Sequence, residues 1–300
     1  MASNRQAANN AITNVTERDV GRGGMLKARI LTSTVLIFGV FGLTYFASNV
    51  LVVAVFTGVL FLSGLEWGAM SGLQSFRTRL AFAFLLCALS YFGMYGLSFE
   101  FDSATQYWLG FYCVLFWGSI SIWIYCYQKK LAPAVKNQLL LSCLGVLVLL
   151  PFFLSIVLIW RASPIDFLTL ILVVSAVDVF AFLGGRKWGR SKFVSLVSPG
   201  KTWAGVVFGF LGALVVGNLL YLVFEQFLSL KLLLYWNVTL ICTILAAILG
   251  DLLESLVKRF GNIKNSGVVL PGHGGLLDRI DSLCAAAPVF LLFNYMFLGF

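Results

Sequence analysis

Long apolar segments recur along the whole sequence and constrain its fold more than any other feature. The segment from Leu139 to Trp160 is typical, because it carries no charged residue over a length that can cross the hydrocarbon core of a bilayer, which needs about 20 residues. Of the 300 residues, 60% are hydrophobic and 11% are charged, and the mean hydropathy is +0.95. A soluble domain has about 25% charged residues and could not bury this much apolar surface. The bilayer must therefore be the solvent for much of the chain.

Nine such segments predict an all-α integral membrane protein, a polytopic bundle of about nine transmembrane helices with a cytosolic N-terminus. They are Ile30–Phe46, Val50–Leu65, Leu80–Phe99, Tyr107–Tyr127, Leu139–Trp160, Ile165–Gly185, Ala204–Phe224, Leu232–Gly250 and Ser282–Phe300. Residues 1–28 are predicted to form a polar cytosolic tail. Residues 29–160 are nearly free of charge within their segments and are predicted to be a transmembrane scaffold. Residues 161–300 carry charges within or beside their segments and are predicted to be the catalytic transmembrane domain.

The distribution of basic residues indicates which helix ends face the cytosol. If the loops are assigned alternately to two sides, all of the 21 Lys and Arg residues except Arg161 and Lys231 fall on the side of the N-terminus. The positive-inside rule makes that side cytosolic. The net charge of +9 therefore reports mainly topology, and nucleic acid is not an expected partner. The six cysteines form no C-x-x-C pair and there is one histidine, which argues against a zinc site.

Asp178 is the first candidate functional residue of the second half, and it lies inside the sixth segment. A carboxylate there is costly unless it faces a wet cavity or a partner. The loop that follows is rich in glycine and contains the cations Arg186, Lys187, Arg190 and Lys192. Such a loop suits guidance of a triphosphate or a lipid phosphate, and it equally suits a simple topology determinant.

The motif Ser198-Pro199-Gly200-Lys201-Thr202-Trp203 precedes the seventh segment. We expect Ser198 to cap this helix, with Pro199 in its first turn. Lys201 and Thr202 would then lie beside exposed backbone N–H groups, where a phosphate binds readily. The motif lacks the spacing of a Walker P-loop.

A polar stripe continues directly from the eighth segment. Asp251, Glu254, Ser255 and Lys258 are spaced so that they share one face of a continued helix. A surface amphipathic helix has the same pattern. We favour a face that lines a cavity, because no linker separates the stripe from the membrane segment.

A glycine-rich loop, Leu270-Pro271-Gly272-His273-Gly274-Gly275, precedes the last segment. Its glycines let the backbone approach a ligand closely, and His273 is either a simple hydrogen-bonding residue or a functional one. Asp278 and Asp281 follow on one helix face, where like charges repel each other. A bound cation would remove that repulsion, and carboxylates combined with phosphate oxygens and water suit Mg²⁺.

These motifs together resemble the signature of the phosphatidate cytidylyltransferase family, also called the CDP-diacylglycerol synthases. The matching positions are Ser255, Lys258, Arg259, Lys264, Leu270, Pro271, Gly272, His273, Gly274, Gly275, Asp278, Arg279 and Asp281. Asp178, the basic loop and the motif around Lys201 match in order upstream. The chain departs from the family at Asn265, where the family usually has Asp, and at Gly200, where it commonly has Lys.

The resemblance implies transfer of CMP from CTP to phosphatidate at the cytosolic face of the inner membrane, giving CDP-diacylglycerol and pyrophosphate. It implies Mg²⁺ as cofactor, with a second cation as an open alternative, and Asp251, Asp278 and Asp281 as the metal ligands. The implied catalytic residues are Asp251, Asp278, Lys258, Arg259, His273 and Arg279. The implied substrate-binding residues are Asp178, Ser198, Lys201, Thr202, Ser255, Lys264, Gly272, Gly274 and Gly275. The expected partners are CTP and phosphatidate, and the sequence also allows a homodimer.

Three other functions are open from the residues alone. A CTP-dependent lipid kinase of the polyprenol type or a synthase of CDP-isoprenoid lipids would need similar groups. A secondary transporter would use Asp178 and Asp251 as ion sites, but transporters often have broken helices in two related halves, and the polar residues here lie only in the second half. A purely structural scaffold leaves the Gly-His-Gly-Gly loop without a reason.

Overall fold

The chain folds as a helical bundle with one short β-hairpin, and the computed structural model describes residues 38–96, 103–224, 229–261, 263, 266–267 and 274–298. The helices are α1 (38–46), α2 (Asn49–Met70), α3 (Phe76–Tyr91), α4 (Ser103–Tyr112), α5 (Gly118–Gln128), α6 (Gln138–Ala162), α7 (Pro164–Trp188), α8 (Trp203–Phe224), α9 (Leu230–Phe260) and α10 (Leu277–Leu298). Short π-helical stretches, Phe92–Gly96 and Cys113–Trp117, extend α3 and join α4 to α5. The strands β1 (Lys192–Val194) and β2 (Ser198–Thr202) pair in antiparallel fashion between α7 and α8.

Eight helical stretches within the described residues are long and apolar enough to cross a membrane. The prediction of an all-α polytopic membrane protein is therefore confirmed. The tail at 1–28 and most of the first predicted segment lie outside the described residues. The structure lengthens three later segments, because α7 continues to Trp188, α9 continues to Phe260, and α10 begins at Leu277. The extensions of α9 and α10 carry the three predicted metal ligands, Asp251, Asp278 and Asp281.

Side-chain caps define two of the helix starts in the way the local sequence dictates. Asn137 accepts hydrogen bonds from the N–H groups of Leu139 and Leu140 at the start of α6. Ser163 accepts one from the N–H of Asp166 at 3.1 Å, with proline at the first position of α7. These are the residue types preferred at helix N-termini, and they leave a single residue between α6 and α7.

Small residues allow α7 and α8 to pack with their backbones close together. Gly205, Gly209, Ala213 and Gly217 recur at every fourth position of α8. A methyl group on Gly205 would lie 2.9 Å from the backbone oxygen of Ala181, and one on Gly209 would lie 2.8 Å from that of Val177. Close approach through small residues is a general device for packing helices in membranes. It places the start of α8, and the hairpin before it, beside the second half of α7.

α9 and α10 also cross at a glycine. A methyl group on Gly250 would collide with the backbone oxygen of Asp281. Residues 282–292 of α10 are all buried, so this helix lies in the centre of the bundle. The second half of α9 thus lies beside the start of α10, at the end of the bundle that also holds the hairpin. We call this end of the bundle the polar end.

Candidate active site

A cavity of about 400 Å³ lies at the polar end, between α7, α8, α9 and the hairpin. Its polar lining comprises Asp178, Arg186, Lys201, Thr202, Asp251 and Ser282, and its apolar lining includes Val177, Ala181, Phe182, Val206 and Ile248. Charged groups next to an apolar wall suit a ligand with an anionic head and an apolar body.

Two of the predicted motifs meet in the lining of this cavity. Lys201 on β2 and Asp251 on α9 form an ion pair, with 2.5 Å between Nζ and Oδ2. The two side chains are 23% and 27% exposed, so both remain accessible from the cavity. Ser255 lies one turn along α9, and its hydroxyl donates to Asp251 Oδ1 at 3.4 Å. The structure therefore joins Lys201, Asp251 and Ser255 in one polar group.

The predicted helix start at Ser198 is wrong. Residues Ser198–Thr202 form strand β2, and α8 begins only after them. The cap is Thr202, whose Oγ1 accepts a hydrogen bond from the N–H of Gly205 at 3.1 Å. Proline disfavours helical backbone in the residue before it, and pairing with β1 supplies the extended alternative. Lys201 consequently belongs to a strand and not to a helix N-terminus.

Two side chains anchor the hairpin to the rest of the bundle. Arg259, predicted as a catalytic residue, donates from Nε to the backbone oxygen of Val197 at 3.1 Å. Gln128, at the end of α5, donates from Nε2 to the hydroxyl of Ser195 at 3.2 Å and accepts from the N–H of Leu196 at 2.9 Å. Gln128 is not among the residues predicted for the site. These contacts fix the position of the strand that carries Lys201.

Lys258 links α9 to α10 through two carboxylates. Its Nζ forms ion pairs with Glu254 on the same helix and with Asp278 on α10, the latter at 2.9 Å. The side chains of Lys258, Glu254 and Asp278 are 15%, 2% and 13% exposed. Asp278 also accepts from the N–H of Gly275 at 2.9 Å and from that of Ser266 at 3.2 Å. Both oxygens of Asp278 are therefore already engaged.

Negative charge exceeds positive charge in this region of the described structure. Asp281 lies near enough to Asp178, Asp251 and Glu254 to be repelled by them. The carboxylates are Asp178, Asp251, Glu254, Asp278 and Asp281, and the cations that line the cavity or lie beside these acids are Arg186, Lys201, Lys258 and Arg279. Oε1 of Glu254 is buried and has no hydrogen-bond partner within the described part of the chain. Added positive charge would relieve this imbalance.

The donor set suits a cation that shares its coordination with a ligand. In the described ranges, no three His, Cys, Asp or Glu side chains are close enough together to enclose a metal ion. Mg²⁺, however, is commonly held by one or two carboxylates together with substrate phosphates and water. Asp251 and Asp278 each already hold a lysine, Lys201 and Lys258 respectively, so a cation bound there would share these carboxylates with the lysines.

A buried glutamate that the sequence analysis did not single out also reaches the polar end. Glu66, near the end of α2, is 5% exposed. It accepts from the N–H groups of Leu276 and Leu277 and from the hydroxyl of Ser266. The predicted second segment stopped at Leu65, one residue short of it. Glu66 is a lone ionisable residue at the end of an apolar stretch. In a membrane protein such a residue usually has a functional role, so the sequence contained a signal that could have identified it.

Some of the remaining predicted site residues lie within the part of the chain that the structure describes, and others do not. Lys264, Gly272 and His273 lie outside the described residues, so their predicted roles stay predictions. Gly274 has a backbone φ of +88°, a conformation that favours glycine. Arg279 is exposed and lies near enough to Asp178 to attract its carboxylate.

The fold and the site define a multi-pass membrane protein whose charged cluster lies beside an apolar-walled cavity. Similarity to known proteins specifies the class further. The profile of the cytidylyltransferase family matches residues 27–297, and the chain belongs to this family. The resemblance found in the sequence is thus confirmed.

Relatives from three bacteria are similar over most of their length. The phosphatidate cytidylyltransferase of Haemophilus influenzae is 31% identical over 292 residues, which cover 91% of this chain and 100% of the relative. The enzyme of the same name from Pseudomonas aeruginosa is 31% identical over 269 residues, covering 89% of this chain and 96% of the relative. That of Thermotoga maritima is 31% identical over 268 residues, covering 88% and 94%.

Proposed function

We propose that this chain transfers CMP from CTP to phosphatidate, releasing pyrophosphate and forming CDP-diacylglycerol. The observation that carries the proposal is the ion pair between Lys201 and Asp251 in the lining of a cavity that also has apolar walls. Phosphatidate has an anionic phosphate on an apolar body, which matches both parts of that lining. Membership of the cytidylyltransferase family favours this reaction over a lipid kinase or a transporter.

In the proposed reaction a phosphate oxygen of phosphatidate attacks the α-phosphorus of CTP. A new P–O bond forms, and the bond from the α-phosphorus to the bridging oxygen breaks as pyrophosphate leaves. The attacking oxygen is already anionic near neutral pH, so the main barrier is the approach of two polyanions. Catalysis then depends on positioning and on neutralisation of charge.

The lysines of the cluster supply that positive charge. Lys201 and Lys258 are oriented by ion pairs with Asp251 and Asp278. An ammonium group has three N–H donors, so each lysine can hold a carboxylate and still donate to a phosphate oxygen. Arg279 is exposed at the same end and can bind a phosphate through two parallel hydrogen bonds. Ser255 would keep Asp251 oriented.

Metal dependence is part of the proposal. Asp251, together with Asp278 and Asp281 at the start of α10, would hold Mg²⁺ with phosphate oxygens, and Glu254 lies close by. When bound, the ion would offset charge on the attacking and leaving oxygens. Without it, the surplus of carboxylates near the cavity would repel a triphosphate, so the protein's own charge distribution supports the requirement.

The proposed location is the inner membrane of a bacterium, with the polar end in the cytosol. This orientation follows from the basic residues of the loops, most of which lie at helix ends on the side of the hairpin. It gives CTP access from the cytosol and phosphatidate access from the bilayer.

Purified protein in mixed micelles tests the proposal directly. Incubation with phosphatidate and CTP labelled at the α-phosphorus should give a labelled lipid and unlabelled pyrophosphate, whereas a kinase would leave the label in CDP. A chelator should stop the reaction, and added Mg²⁺ should restore it. If folded, monodisperse protein forms no labelled lipid in the presence of Mg²⁺, the assignment is refuted.

Asp251→Asn tests the site, because it keeps the shape of the side chain and removes its charge. We expect turnover to fall by about 100-fold or more, since the change disturbs both Lys201 and the proposed cation. Asp166→Asn is the matched control, because Asp166 lies in the first turn of α7, at the opposite end of that helix from the cavity. Similar turnover by both variants would count against the site.

A further inference from the structure

Glu66, in the first half of the chain, binds the backbone at the start of α10. Its Oε2 accepts from the N–H of Leu277 at 2.7 Å and from the hydroxyl of Ser266 at 3.1 Å. Its Oε1 accepts from the N–H of Leu276 at 3.0 Å. One carboxylate thus satisfies two backbone N–H groups at a helix N-terminus and one hydroxyl from the segment before it. No local residue of α10 makes these contacts within the described structure.

Two glycines pack closely against the carboxylate of Glu66. A side chain on Gly267 would collide with the carboxylate, and one on Gly275 would lie 2.6 Å from its Oε2. Ser266 connects Glu66 to the active site, because its hydroxyl donates to Glu66 while its N–H donates to Asp278. Glu66 and Asp278 therefore both bind Ser266, one through its hydroxyl and the other through its N–H.

We infer that Glu66 is a positioning residue that sets the start of α10, and with it Asp278 and Arg279, in the geometry that turnover requires. The expected effect on turnover rests on the proposed function. The expected effect on the start of α10 rests on the hydrogen bonds alone. Glu66 is not among the residues that line the cavity, and it acts through Ser266, Leu276 and Leu277.

Glu66→Gln is the informative change because it keeps the size of the side chain. Both carboxylate oxygens accept hydrogen bonds, and an amide can present only one oxygen, so at least one donor would face an N–H₂ group. We expect kcat to fall by about 10- to 100-fold, as for a displacement of catalytic groups by a fraction of an ångström. The KM for CTP should change by less than about threefold, because the cavity itself is unaltered.

Hydrogen–deuterium exchange gives a readout that does not depend on activity. In Glu66→Gln, a peptide covering 275–281 should exchange about 10-fold faster, because the amides of Leu276 and Leu277 lose a charged acceptor. A peptide from α8 should exchange at the parental rate. Ser63→Ala is the matched control on α2, since Ser63 is buried one turn earlier and its hydroxyl has no partner within the described residues. It should change neither kcat nor exchange at 275–281.

A double-mutant cycle with Ser266→Ala separates positioning from general damage. If both residues act through one network, the double variant should lose less than the product of the two single losses. If Glu66→Gln does not fold, Gly275→Ala disturbs the same contact from the loop side and should give the same exchange change. Parental kcat, or lost kcat with parental exchange at 275–281, would overturn the inference. If the parent forms no CDP-lipid, the proposed function fails while the exchange result still decides the role of Glu66.

Discussion

Replacement of Lys258 by methionine would remove the cation that holds α9 to α10 and leave two carboxylates without a counter-charge. At an effective dielectric constant of 20, unit charges 2.9 Å apart attract by about 6 kcal/mol. Desolvation of the three groups cancels part of this attraction. Removing one partner from a buried ion pair typically lowers stability by about 3–5 kcal/mol, because the remaining charge stays buried. This cost is close to the attraction of the pair. The side chain of Lys258 is only 15% exposed, so solvent screening offsets little of that cost.

We expect Lys258→Met to lower the apparent melting temperature by about 10 °C and to abolish formation of CDP-lipid. Melting can be followed by size-exclusion chromatography of heated, detergent-solubilised protein, and activity by the labelled-lipid assay. Lys129→Met is the control, because Lys129 is exposed, lies over the ring of Tyr125, and forms no ion pair with any carboxylate in the described ranges. It should melt within about 2 °C of the parent.

A second substitution tests whether unpaired charge is the cause. Glu254→Gln in the Lys258→Met background removes one of the two stranded carboxylates, so the double variant should be more stable than Lys258→Met alone. It should remain inactive, because Asp278 and the substrates still lack the ammonium group. Equal melting of Lys258→Met and the parent, or a further loss of stability in the double variant, would refute the electrostatic account.

Two further substitutions probe how the polar end is held together. Gly250→Ala places a methyl group against the backbone oxygen of Asp281, so we expect α9 and α10 to separate slightly. The free energy of unfolding should fall by about 1–3 kcal/mol, and CDP-lipid formation should fall strongly. Gly58→Ala is the control, because Gly58 has open space around it and the change should leave thermal melting unaltered. Gln128→Ala removes both hydrogen bonds between α5 and the hairpin. We expect turnover to fall by about 10-fold with melting within about 3 °C of the parent, and unchanged turnover would show that the hairpin needs no such anchor.

Features that depend on local sequence were predictable, and pairings between distant elements were not. The apolar segments predicted the spans because length and hydropathy suffice for that purpose. The helical spacing of Asp251, Glu254 and Lys258 predicted a shared face, which α9 provides. Which cation meets which acid depends on how helices pack, and the spacing within one helix carries no information on it. The pairing of Lys201 with Asp251 is therefore a result of the structure alone.

The start of α8 shows how tertiary pairing overrides a local signal. Ser198 followed by proline is a good helix start by residue preference. The preceding strand β1 offers backbone hydrogen-bond partners, and Val197 is fully buried at the turn between the strands. Those contacts favour extended backbone up to Thr202, which then caps the helix. A sequence window that does not include the partner strand cannot register this competition.

The contacts of Glu66 and Gln128 bear on the predicted division of the chain at residue 160. Both residues lie in the part predicted to be scaffold, and each binds one of the two polar segments that carry site residues. Leu277 is 211 positions from Glu66 in the sequence, so only the folded bundle can bring them together. The two halves therefore differ in where their charged residues lie, and residues from both halves hold the site in place. A substitution in α2 or α5 that leaves the bundle intact should accordingly be detected in turnover before it is detected in membrane insertion.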